Sequence, residues 1–76
     1  MSESGNTLYR PAIEAVLRWF NYDHLPSELQ RVSRAFAELA GDVAKRAPSS
    51  AETTVALRRL LEAKDAAVRA ALDNPR

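Results

Sequence analysis

Between Ser50 and Leu72 the sequence spaces its apolar residues as only an α-helix would. At about 100° per residue, Leu57, Leu60, Leu61, Ala67, Val68, Ala71 and Leu72 share one stripe. A helix of that length with one apolar face must bury the face on something, which commits the chain to helix-on-helix packing. Lys64 falls in the middle of the stripe. A bare ammonium among leucines is costly, so it needs a partner, a path to water or a ligand. The ordinary explanation is that Lys64 snorkels past the leucines or pairs with a carboxylate. The functional one is that it lines a subunit interface and meets an anionic ligand there.

Two further helices are predicted upstream. The first runs from about residue 9 to 20, with Pro11 in its first turn and Ile13, Val16, Leu17 and Phe20 on one face. Residues 1–6, polar and containing a glycine, are expected to be disordered. Asn21-Tyr22-Asp23-His24-Leu25-Pro26 forms a connector. The second helix spans about 27–46, where Ser27 and Gln30 resemble a capping box. Leu29, Val32, Phe36, Leu39, Ala40 and Val43 make its seam, and Arg31, Arg34, Glu38, Asp42 and Lys45 its polar face. Arg34/Glu38 and Asp42/Arg46 stand at i,i+4. Gly41 either costs about 1 kcal/mol relative to alanine or marks a close helix crossing. Ala47-Pro48-Ser49 breaks the helix, and Ser49 with Glu52 forms a second capping box before a helix over about 50–72. So short a connection between two helices of about 20 residues predicts an antiparallel hairpin. The fold class is all-α: a short N-terminal helix, then a long antiparallel helical hairpin, in one domain.

At 76 residues, such a core rarely contributes more than about 3–5 kcal/mol. Chains this small usually add disulfides, a metal or oligomerisation. There is no cysteine and one histidine, which leaves a symmetric homo-oligomer as the open route. Ala56, Ala63, Ala66 and Ala70 flank the leucine stripe and offer a second packing surface, although alanine is also simply the best helix former. The 11 Lys and Arg nearly balance the 10 Asp and Glu, without a basic arm, which argues against long nucleic acid as a partner. No apolar run approaches the ~20 residues of a membrane span, and the first residues lack the pattern of a signal peptide. The expected location is cytoplasmic.

No catalytic or metal constellation is evident, no cofactor motif is present, and no enzyme activity is expected. What remains is a binding constellation. Phe20, Tyr22 and His24 put three flat side chains within five residues at a helix-to-helix corner. Aromatic faces stack on nucleobases at about 1–3 kcal/mol per contact. Arg31, Arg34, Arg58, Arg59, Lys64 and Arg69 are donors suited to phosphate. Each has a plainer reading: Phe20 as core, the arginines as a solvated face.

The stretch from Ser50 to Ala63 carries a pattern S-x-E-x-x-x-A-L-x-x-L-x-E-A, preceded by a proline turn and an amphipathic helix, with Phe20-Asn21-Tyr22 as an F-x-Y lead-in. This resembles the helical hairpin domain of phage anti-CBASS and anti-Thoeris proteins, over roughly Phe20 to Ala71. These are sponges that sequester cyclic-nucleotide immune second messengers without cleaving them. The resemblance implies a hairpin assembled into oligomers, often hexamers, in the host bacterial cytoplasm. It also implies a cyclic di- or trinucleotide as partner and a base-stacking role for Tyr22. The chain departs from the pattern in having Asp23 between Tyr22 and His24, and Ala66 and Val68 where a tryptophan and an asparagine are common. Residues 62–70 look instead like a branch from small actinobacterial-phage proteins. The candidate ligand residues are therefore Tyr22 and His24 for bases, and Arg34, Lys64, Arg58 and Arg59 for phosphates.

Overall fold

In a computed structural model, which describes residues 2–73 and the side chains of residues 9–73, the chain is all-helical. It has three helices: α1 (Ser2–Arg18), α2 (Ser27–Arg46) and α3 (Ala51–Asp73), with no strand among the described residues. α2 packs chiefly on α3, α1 packs next on α3, and α1 meets α2 least. The result is a rod of 50 × 19 × 16 Å.

α2 and α3 begin and end within a residue or so of their sequence-predicted bounds, because proline chemistry fixes both ends of their connection. Pro26 is the N-cap of α2, its carbonyl accepting from the Leu29 and Gln30 amides at 2.9 Å each. The capping box expected from Ser27 and Gln30 does not form. Gln30 instead reaches back, its Nε2 donating to the Leu25 carbonyl at 2.7 Å and the Asp23 carbonyl at 3.3 Å. Ala47 leaves the helix in an extended conformation, and its amide donates to the Val43 carbonyl. At α3 Ser50 acts as a cap. The Ser50 Oγ accepts from the Thr53 amide at 3.3 Å, and the Thr53 hydroxyl donates to the Pro48 carbonyl. The helix starts one residue later than expected.

α1 departs further from expectation. It starts at Ser2, so residues 2–6 are helical rather than disordered, Met1 lies outside the described residues, and Pro11 sits inside the helix. A proline forfeits one i→i−4 bond, and the turns upstream of it still close their own. At the other end α1 stops at Arg18, short of Phe20. The chain tightens there into i→i+3 bonds, from Trp19 to Val16, Phe20 to Leu17 and Asn21 to Arg18.

The core is small: Ile13, Val16, Phe20, Ala40 and Leu57 are buried. Tyr9, Leu17, Phe36, Ala37, Val43, Ala44, Leu60 and Leu61 pack around them. The seam of α2 holds as expected at Leu29, Val32, Phe36, Ala40 and Val43, which are buried or half-buried, and departs at Leu39. Leu39 is 49% exposed, and the line turned inward includes Ser33, Ala37, Ala40 and Ala44. These four recur at heptad-like spacing, and their small side chains admit close approach by the bulky Leu57, Leu60 and Leu61 on α3. Gly41 marks no close crossing among the described residues, since a Cβ there would meet nothing of theirs within 4 Å. The two buried hydroxyls differ sharply: Thr53 is bonded at the connection, whereas Ser33 Oγ has no partner.

Candidate functional site

The corner after α1 is held by short-range bonds. The Asp23 amide donates to Asn21 Oδ1 at 3.1 Å, an Asx-turn, and the Leu25 amide donates to the Tyr22 carbonyl at 3.0 Å. With Gln30 bonded to the same loop, residues 21–25 have a defined path, and it sends the three aromatic rings to different places. Phe20 is core, 3% exposed. Tyr22 is half-buried and His24 exposed.

This divergence splits the expected ligand set. His24 and Lys64 line one open groove of about 480 Å³, together with Arg18, Trp19, Asp65 and Arg69. The volume falls within the range of small-molecule sites. Tyr22 and Arg34 line a separate, smaller groove of about 260 Å³ with Ser27, Gln30 and Arg31. Arg58 lines a third, of about 410 Å³, with Trp19, Ala12, Ala15, Leu61 and Glu62. Arg59 lies on the surface, donating to Glu62 at 3.3 Å. Within one chain the six residues do not converge on one ligand.

Lys64 keeps the position its register dictates. Its side chain is 14% exposed, and its Nζ lies 3.2 Å from Asp65 Oδ1, a carboxylate half open to solvent. Adjacent helix residues do not ordinarily face one another. Here the side chain is largely buried and its ammonium is paired with the neighbouring carboxylate, as the pairing alternative anticipated. The groove thus brings together the Lys64–Asp65 pair and two exposed arginines, Arg18 and Arg69. Arg34, by contrast, is tied to Glu38 at 3.0 Å. Its pKa is raised above the ordinary arginine value by that hydrogen bond first, then by the charge of Glu38 and by Tyr22. The second i,i+4 pair does not form: among the described residues, Asp42 and Arg46 are not within ion-pair distance.

Trp19 is the residue that sequence reasoning passed over. It is 70% exposed and lines both the groove of Lys64 and that of Arg58. Its signal was present: the single tryptophan of the chain falls off the Ile13–Val16–Leu17–Phe20 face, where a core residue would not be. Ala56, Ala63, Ala66 and Ala70 are exposed as well, so α1 does not cover that flank of α3.

No helix among the described residues is long and apolar enough to cross a membrane, and no group of three or more His, Cys, Asp or Glu side chains among them is placed to hold a metal ion. No known protein family, curated protein or solved structure matches the chain.

Proposed function

We propose that the chain is a non-catalytic binder that sequesters a cyclic di- or trinucleotide, the reading its resemblance to phage anti-defence sponges implies. One observation carries it. His24 and Lys64, forty residues apart in sequence, line one groove with Arg18, Arg69 and an exposed tryptophan. That is a set of phosphate donors beside a flat aromatic ring. The groove is open, so enclosing a ligand calls for a second surface, and a symmetric homo-oligomer provides one. The fold in this proposal is the antiparallel α2–α3 hairpin, with α1 laid across it. The exposed alanine flank of α3, with Val55 43% exposed beside it, is available for subunit packing. Tyr22 and Arg34 then contribute from their own groove only if a neighbouring subunit brings it to the first. The same logic applies to Arg59, whereas the groove of Arg58 adjoins the first within one chain, at Trp19.

A second reading is a helical interaction module, a small inhibitor or adaptor without a nucleotide ligand, that buries the alanine flank of α3 on a protein partner, with the exposed Trp19 as a further contact. It is favoured by the Lys64–Asp65 pair, which satisfies the ammonium without any ligand. Native mass spectrometry with cyclic di- and trinucleotides and cyclic ADP-ribose isomers separates the two. A discrete oligomer that retains an unmodified messenger, released intact on heating, supports the sponge. A chain that ignores the whole panel supports the module.

A further inference from the structure

We propose that Trp19 is the base-stacking platform of this protein, and that its ligand lies along α3 between Arg58 and Arg69 with the indole over its middle. The inference rests on the nucleotide-binding reading above and assigns it a residue, an orientation and a ligand length.

Trp19 and Phe20 are adjacent, yet Phe20 is 3% exposed and Trp19 70%. The i→i+3 bonds that end α1 bury the phenyl ring and leave the indole on the surface. A large aromatic surface kept out of the core, in a chain with so little core to spare, is not explained by folding. Its neighbours give it a use. Trp19 lines two grooves that run onto consecutive turns of α3, one reaching Arg58, Leu61 and Glu62, the other Lys64, Val68 and Arg69. From Arg58 to Arg69 the helix rises roughly 16 Å at about 1.5 Å per residue. Cations stand at both ends of that strip, Arg58 at one and Arg69 with Arg18 at the other, while its middle carries Lys64 paired to Asp65, and Glu62. A free phosphate would use one end and not the indole. A lone aromatic ring would use the indole and neither end. A ligand using all three carries at least one base and phosphate groups spread over more than a mononucleotide's length. Tyr22 is less suited to the role here, because it is half-buried and its groove shares no residue with that of Lys64.

The single tryptophan makes the test direct. The full chain is titrated with cyclic di-AMP and cyclic tri-AMP, following indole fluorescence, with equilibrium dialysis as an independent measure of binding. Adenosine and pyrophosphate serve as half-ligand controls. The expected result is saturable quenching by a cyclic nucleotide at the concentration where dialysis shows binding. Trp19→Leu is expected to lose about ten- to a hundredfold in affinity, the effect of one stacking contact. Arg69→Gln is expected to weaken binding while leaving the quenching at saturation. Binding by dialysis with unchanged fluorescence, or with full affinity in Trp19→Leu, would overturn the Trp19 assignment and leave the nucleotide reading standing. Pyrophosphate binding as tightly as the cyclic nucleotides would do the same. Binding of neither cyclic nucleotide would overturn both. The wild-type quenching is informative even if a variant were to fold poorly.

Discussion

Replacing Gly41 with alanine asks whether α2 is complete within one chain. Gly41 lies in the middle of α2, and an added Cβ would meet nothing within 4 Å. Its backbone is ordinary, with no glycine at positive φ among the described residues. Neither steric nor conformational strain opposes the methyl group. What remains is helix propensity, which favours alanine over glycine by about 0.8–1.0 kcal/mol in a helix interior. For a domain of this size, 1 kcal/mol moves the melting temperature by roughly 4–8 °C. Gly41→Ala is therefore expected to raise the midpoint of a far-UV circular dichroism melt by about that amount. The melt should be repeated over a range of protein concentrations, because assembly makes the midpoint concentration-dependent. A lower midpoint, or one whose concentration dependence collapses in the variant, would refute the propensity argument. It would mean that another subunit's helix approaches Gly41 closely enough for the methyl group to clash.

Two buried hydroxyls supply a pair of predictions of opposite sign. Ser33 is 1% exposed with an unpartnered Oγ, so Ser33→Ala removes a desolvated polar atom and is expected to stabilise by about 1 kcal/mol in urea denaturation. Thr53 is 5% exposed and bonded to the Pro48 carbonyl, so Thr53→Ala is expected to cost about 1–3 kcal/mol in the same assay. Equal effects from the two would show that hydrogen bonding is not what separates them. Leu57 is fully buried, and Leu57→Ala is expected to cost about 2–5 kcal/mol, comparable to the whole stability of so small a core, leaving a chain largely without helical circular dichroism in dilute buffer.

How much of this was legible in the sequence depends on the range of the interaction responsible. α2 and α3 were readable because Pro26, Ala47-Pro48 and the leucine spacing act within a few residues of the ends they set. The start of α1 was not, because Pro11 reads as a first-turn residue while its actual cost is one bond in a longer helix. The seam of α2 was readable at Phe36, Ala40 and Val43 and misassigned by size at Leu39, where the smaller Ala37 and Ala44 face inward instead. Lys64 could be placed in its stripe by counting, and its pairing with a carboxylate was one of the alternatives counted. The grouping of the ligand residues could not be read, since Tyr22 and His24 are two residues apart and line different grooves. That separation is set by the turn bonds of residues 21–25 and by where α1 crosses α3. Trp19 was passed over for the complementary reason: a search for core periodicity discards whatever falls off the apolar face.

A rod of 50 × 19 × 16 Å built from three helices has no second layer, so every helix keeps a face to solvent. Many positions therefore lie near the surface, and the buried apolar side chains among the described residues are few: Ile13, Val16, Phe20, Ala40 and Leu57. The consequence is evolutionary. Structural selection bears on a handful of positions, while most of the chain need only remain helical and polar enough to stay in solution. Such a sequence can drift a long way with its architecture unchanged. Its surface can be rewritten to follow a changing ligand at little cost to folding, a freedom that a thicker, better-filled domain does not have.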